Sequence, residues 1–167
     1  MPTHIDISNG FNFQLILPML PFDTTLNDSN LLNLNIIDTV LPSFSINPKE
    51  HPWMGGKVYG EVSDVDYGDW TVNFIIDDLW TNYSSIFKWM QNINDGVDKF
   101  GKPFKDYQVE GRLLIFDNYE KIVKEYVFRN VWPKSLGEVT MTYQDGNSIL
   151  NCSCSLQYDN FYEKETI

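Results

Sequence analysis

The hydrophobic period changes once, abruptly, between residues 70 and 93, and few folds accommodate that switch. Trp70, Val72, Phe74 and Ile76 alternate with Thr71 and Asn73, the period of a half-buried strand. Beyond Asp77-Asp78 the apolar residues recur at i, i+3, i+4 and i+7, as Ile86, Trp89, Met90 and Ile93. This spacing predicts a helix over residues 83–94 whose apolar stripe packs against a sheet. Thr81 or Asn82 is suited to cap its start, and Gly96 to end it.

Almost everything else alternates with period two. Phe11, Phe13, Leu15 and Leu17 predict a first strand. A turn-rich stretch from Pro18 to Asn30 follows, and Leu32, Leu34 and Ile36 predict a second strand ending near Leu41-Pro42. Residues 43–47 and 57–62 read as two short strands. Between them, residues 48–56 read as a loop with Trp53 and Met54 at its tip, and residues 61–69 as an acidic linker. Residues 109–116 and 122–131 predict two long strands joined at Asp117-Asn118, with Pro133 stopping the second. Residues 139–143 and 148–158 predict a hairpin about Asp145-Gly146. The sum is a mainly β chain, an antiparallel sandwich or barrel with one flanking α-helix. At 167 residues it is expected to form one domain over 1–167, with no internal repeat.

Twelve Lys and Arg against 23 Asp and Glu give a net charge of −11, a poor balance for gripping nucleic acid. The same sign suits solubility, or a surface past which DNA must slide. The beginning of the chain lacks a basic region followed by an apolar run, so no signal peptide is expected. No stretch approaches the roughly 18 apolar residues of a membrane-spanning helix. Cys152 and Cys154 fall on one face of the last strand with Leu150, Leu156 and Tyr158, where a thiol is a small hydrophobe. Asn82-Tyr83-Ser84 and Asn151-Cys152-Ser153 fit the glycosylation pattern and are read as chance.

Catalytic patterns are missing. His4 and His51 are the only histidines, neither spaced for a metal, and a Cys-x-Cys pair is a weak zinc signal. There is no Gly-x-Ser-x-Gly elbow, and Gly55-Gly56-Lys57 lacks the rest of a phosphate loop. Lys121, Lys124 and Arg129 alternate with Glu120 and Glu125 as a solvated face. The reading is a protein that is not an enzyme and needs no cofactor.

Several segments taken together resemble a known family. Asp69-Trp70-Thr71-Val72 leads into a helix carrying Lys88-Trp89. Val131-Trp132-Pro133 is followed by Leu136-Gly137-Glu138-Val139 and by a closing segment, Tyr158-Asp159-Asn160-Phe161-Tyr162-Glu163. In this order they resemble the tail tube protein of contractile-tailed bacteriophages, over the last three-quarters of the chain. The first forty residues match less well, and residues 18–30 are longer than that family's first hairpin.

The resemblance implies a structural protein of the virion, made in the bacterial host cytoplasm. It implies hexameric rings, each subunit lending one sheet to a continuous barrel, stacked into a hollow tube. Tail sheath and baseplate proteins would be its partners. DNA would pass through the lumen without specific binding, and the chain would insert in no membrane. Lys49, Pro52, Trp53 and Met54 are the expected contacts with a neighbouring subunit or ring, although such a loop equally folds back onto its own domain. Glu61, Asp64, Asp66 and Asp69 are the expected lumen acids, and Trp132-Pro133 an internal corner. The alternatives are a baseplate initiator or tail terminator of tube-like fold, a type VI secretion tube protein, and a monomeric carbohydrate- or ligand-binding sandwich. A small hydrolase without a cofactor is the remaining class.

Overall fold

A computed structural model of the chain describes residues 13–18, 34–94, 107–141 and 149–164. In chain order the elements are β1 (Phe13–Ile16), β2 (Ile36–Thr39), β3 (Phe44–Trp53), β4 (Gly56–Tyr67), β5 (Trp70–Ile75), α1 (Thr81–Ile93), β6 (Val109–Phe116), β7 (Ile122–Leu136), β8 (Asn151–Gln157) and β9 (Asn160–Lys164). All the pairings are antiparallel. The main sheet runs β1-β6-β7-β8-β5-β2, with β9 also on β7, while among the described residues β3 and β4 pair only with each other.

The long strand β7 is the corner of the fold. Its first half lies between β6 and β9, and its second half, from Trp132 to Leu136, pairs with β8. The two halves meet at Asn130, which sits at φ 56, a left-handed conformation that Asn tolerates better than most residues. Opposite it the chain breaks between β8 and β9. There the Asp159 N–H donates to the Arg129 carbonyl at 3.1 Å, and Asn130 Nδ2 donates to Asp159 Oδ2. A first sheet, β1-β6-β7-β9, thus folds over a second, β7-β8-β5-β2, and both turn their apolar residues into the space between. Trp70, Val72, Phe74, Phe128, Val131 and Leu156 are among the buried residues there. Packing is close enough that a Cβ on Gly111 would lie 3.1 Å from both Leu17 Cδ2 and Trp70 Cζ3. Cys152 and Cys154 face this core, and burial pushes the Cys154 thiol up to about 12.

Several local readings need correction. The helix begins at Thr81, two residues earlier than its pattern predicts, and neither Thr81 nor Asn82 is its cap. The capping position is Trp80, at φ 56 and without a side-chain cap bond. Buried Asn82 instead ties the helix to the sheet, donating from Nδ2 to the Ile75 carbonyl at 2.7 Å while Oδ1 accepts the Tyr83 N–H at 2.8 Å. Gly96 lies outside the described residues. Pro133 does not end its strand. It is buried within β7 beside a register shift, where a missing N–H costs little. Residues 137–141 are not strand, residues 142–148 of the expected hairpin lie outside the described residues, and β9 is an additional strand.

The largest correction concerns residues 48–69, which are neither loop nor linker. They belong to β3 and β4, of ten and twelve residues. β2 and β3 on one side, and β4 and β5 on the other, form one long hairpin. It stays in the second sheet at its root and leaves it at residues 40–43 and 68–69, bridged by Val40 N–H to the Thr71 carbonyl and Gly68 N–H to the Ser43 carbonyl.

Candidate functional site

The β3–β4 hairpin is an arm. At about 3.3 Å per residue, ten residues reach roughly 33 Å. Every residue of β3 is exposed. The tip turns through Met54 and Gly55, at φ 40 and φ 83, a two-residue turn with both central residues left-handed. Two register shifts, at Asn47/Pro48 and Lys49/Glu50, add twist along its length. Pro48 and Pro52 on β3 blunt it as a template for uncontrolled strand addition.

Aromatic rings fix the foot. Tyr67 packs against Phe44, Tyr158 and Phe161 with ring centroids 5.6, 6.0 and 5.7 Å away, and Tyr158 Oη donates to the Gly68 carbonyl at 2.7 Å. Burial pushes the Tyr158 phenol up to about 12, reinforced by Tyr67 and the Asp69 carboxylate. Above the foot, cross-strand neighbours Phe44/Tyr67 and Ile46/Val65 share one face, and Ser45/Asp66 and Asn47/Asp64 the other.

The four residues expected at a contact all lie on this arm. Lys49, Pro52 and Trp53 are on β3 and Met54 is in the turn, all exposed; Trp53 is 67% exposed and Met54 94%. Trp53 and Met54 do not fold back onto the domain. Three of the four expected acids are on the same arm. Glu61 lies in β4 opposite Lys49. Asp64 accepts the Val65 N–H at 2.8 Å, and Asp66 accepts from Asn47 Nδ2 at 2.6 Å. Asp69, at the foot, is held by Lys134 Nζ at 2.9 Å. In the helix stripe, Ile86 and Trp89 are buried, and Met90 and Ile93 half-buried. Trp89 Nε1 donates to the Tyr107 carbonyl at 2.8 Å.

Sequence reasoning missed Phe44, Ile46, Val58 and Tyr59, which are 50–59% exposed and extend the apolar surface of the arm. The alternation of Phe44 and Ile46 with Ser45 and Asn47 was the available signal. It also missed the edge of the second sheet, where among the described residues β2 pairs only with β5 and leaves Ile37, Val40 and Leu41 exposed.

The two sheets differ in their outward faces. The first carries a charged network in which Arg112 reaches Glu110 at 2.9 Å and Glu125 at 3.8 Å. Lys164 reaches Glu125 at 3.2 Å, and Arg129 lies 4.9 Å over the Tyr162 ring. On the second, Ser135, Ser155, Thr71, Ser153 and Asn73 are joined by Asp38 and by the Lys134–Asp69 ion pair, whose partners flank β8. Among the described residues no group of three or more His, Cys, Asp and Glu is placed to hold a metal ion, and no helix is long and apolar enough to cross a membrane.

Comparison with known proteins gives these surfaces a context. The family profile described as phage tail tube protein matches residues 7–164. No curated protein matches the chain. Among solved structures, the sheath/tube terminator of the PVC extracellular contractile injection system is similar at 12% identity. The alignment covers 98% of this chain and 99% of that one, with a TM-score of 0.67. The anti-feeding prophage baseplate structure aligns at 9% identity over 98% and 97%, with a TM-score of 0.65. Hcp1 of E. coli EAEC 042 aligns at 10% identity over 90% and 88%, with a TM-score of 0.52. At these identities the fold is what is shared.

Proposed function

The chain belongs to the phage tail tube protein family, and from that premise we propose that it is a structural subunit which closes into six-membered rings that stack as a hollow tube. The observation that carries the reading is the arm. A lone two-stranded hairpin is marginal in water, and this one adds an exposed Trp, Met, Phe and Tyr. Seated on a neighbouring copy, the arm gains the apolar cover that its own domain does not give it. The exposed edge of β2 supports ring closure, since pairing it with another subunit removes an edge open to aggregation. Repeated head-to-tail contact of arm and body yields an open filament.

In this reading the protein is not an enzyme. It is a virion component made in the host cytoplasm, surrounded by a sheath and seated on a baseplate, and its bore passes DNA. A terminator or baseplate-initiator position is the second reading, favoured by the similarity to structures described as a tube terminator and a baseplate. Negative-stain microscopy with solution mass separates them. Hollow filaments of indefinite length indicate the bulk tube, and single rings that never stack indicate an end position. A subunit of 19.5 kDa that never associates, alone or with preformed tube fragments, overturns both.

A further inference from the structure

We infer that the apolar end of the arm is received, on the neighbouring copy, by an aromatic corner built from Leu79, Trp80, Tyr83 and Phe87 at the start of α1. The inference rests on the tube reading above and names the surface on which the arm sits. Leu79 is 77% exposed and Phe87 46%, with Trp80 and Tyr83 half-buried between them. The rings form one run, since Trp80 meets Tyr83 edge-on at 5.5 Å and Tyr83 lies parallel to Phe87 at 6.3 Å. Trp80 and Tyr83 rest partly on the core, and Leu79 and Phe87 leave the outer side of the run open. None of the four belongs to the stripe of Ile86, Trp89, Met90 and Ile93 that seats the helix.

Position is the first observation. β5 leaves the foot of the arm at Trp70 and ends at Ile75, where Asn82 holds the helix start by its bond to the Ile75 carbonyl. The helix then runs back, because Trp89 is bonded to Tyr107, whose ring meets Trp132 at 6.2 Å, and Trp132 pairs with Gln157 near the foot. Arm and corner therefore lie at opposite ends of β5, roughly 20 Å apart at about 3.3 Å per residue. Two unlike surfaces at opposite ends of one subunit are what a repeating head-to-tail contact requires.

Backbone strain is the second. Four described residues other than glycine have positive φ. Asn130 turns the corner of β7, and Glu120 lies in the turn between β6 and β7. The other two are Met54 at φ 40 and Trp80 at φ 56, large apolar side chains kept in a conformation that suits Gly or Asn. The strained apolar positions are thus one on each of the two surfaces that meet.

Chemistry is the third. A thioether and an indole at the tip suit a run of rings. Asp77 and Asp78 are the only charged residues from 77 to 87, and Lys57 is the cation nearest the tip. Its pair with Glu50 at 2.6 Å is exposed on both sides, so it is weak and can be exchanged for Asp78 of the neighbour. The inner half of the arm carries Glu61, Asp64 and Asp66 and would be repelled from the same corner. The end of the arm, and not its root, belongs there.

Cross-linking in assembled filaments tests this. Gly56→Cys places a thiol beside the tip, where a Cβ meets only the Trp53 carbonyl oxygen at 3.7 Å, and Val58→Cys is a second arm variant should the first not fold. Ser84→Cys lies one turn from Trp80 and three residues from Phe87, on the same side of the helix. Tyr119→Cys, in the exposed turn between β6 and β7, serves as the reference. Each arm variant is grown with each body variant in mixed filaments and treated with a short bis-maleimide. The unsubstituted chain, with both native thiols buried, gives the background. The expected result is a cross-linked pair at twice the 19.5 kDa subunit mass between an arm variant and Ser84→Cys, and none with Tyr119→Cys. Pairs with Tyr119→Cys instead, pairs of arm with arm, or no pair at all overturn the inference. Leu79→Asp, on an exposed residue, should leave the thermal midpoint unchanged while raising the concentration needed for filament growth by roughly tenfold or more, the loss of a central contact. Growth of that variant at the parent concentration overturns it equally. If the parent chain itself never forms filaments, it is the tube reading that fails, and the corner has no arm to receive.

Discussion

Trp70 lies flat on Phe128, their ring centroids 3.8 Å apart and their planes 11° from parallel. One ring comes from β5 of the second sheet and the other from the corner strand β7, so this contact holds the two sheets at their fixed angle. Phe128 also meets Phe161 at 5.2 Å and Tyr158 at 5.2 Å, the aromatic group on which the arm's foot rests. Core and arm share one set of rings.

Phe128→Ala is expected to cost about 3–5 kcal/mol, the range for emptying a buried aromatic site. Thermal unfolding followed by circular dichroism reads this as a drop in midpoint on the order of 10 °C for a chain of this size. Phe128→Leu, which fills part of the space, should lose clearly less.

Asn82→Ala removes the donor to the Ile75 carbonyl and the acceptor for the Tyr83 N–H, both at the seam between β5 and α1. Leaving buried backbone groups without partners is expected to cost about 1–3 kcal/mol in chemical denaturation. Thr81→Ala, on an exposed residue that is not the cap, should cost less than half as much.

Alkaline pH should destabilise the fold through two buried groups, Cys154 and Tyr158. Burial raises Cys154 from the ordinary thiol value near 9 to about 12, and Tyr158 from near 10 to about 12. The unfolded chain therefore loses these protons first. The associated stability is complete below pH 9 and declines as pH rises from 9 to 12. The midpoint should be flat from pH 7 to 9 and fall above it, and Cys154→Ala with Tyr158→Phe should flatten the fall.

Met54 occupies a left-handed turn position that Asn and Gly favour, so its side chain is kept there at a conformational cost. Met54→Asn should leave the thermal midpoint unchanged or raise it, while lowering filament yield. Trp53→Ala should likewise leave the monomer folded and weaken assembly. Either variant assembling like the parent chain would remove that residue from the contact.

How much of this the sequence discloses follows from which residues are buried. β5, β6 and α1 are legible because one face of each packs on the core, which forces a clean period. The arm is not, because all ten residues of β3 are exposed and no burial constrains their alternation, while Pro48, Pro52 and Gly55-Gly56 carry the composition of a loop. Within the arm, Trp53 and Met54 are the residues whose type draws notice, as a large apolar pair flanked by Pro52 and Gly55. The surroundings of the acids are set by partners distant in sequence, as with Lys134, which is 65 residues from Asp69. Strand β7 runs past Pro133 because a register shift absorbs it. The break between β8 and β9 is set by Asn130 across the sheet, a partner no local pattern reveals.

Cryo-electron microscopy of filaments grown from the purified chain tests the central claim most directly. The account predicts a hollow six-fold tube in which the arm of each subunit, with Trp53 and Met54 at its tip, is seated on a neighbouring copy. A filament whose arms stand free in solvent, or a closed particle without a central bore, would contradict it.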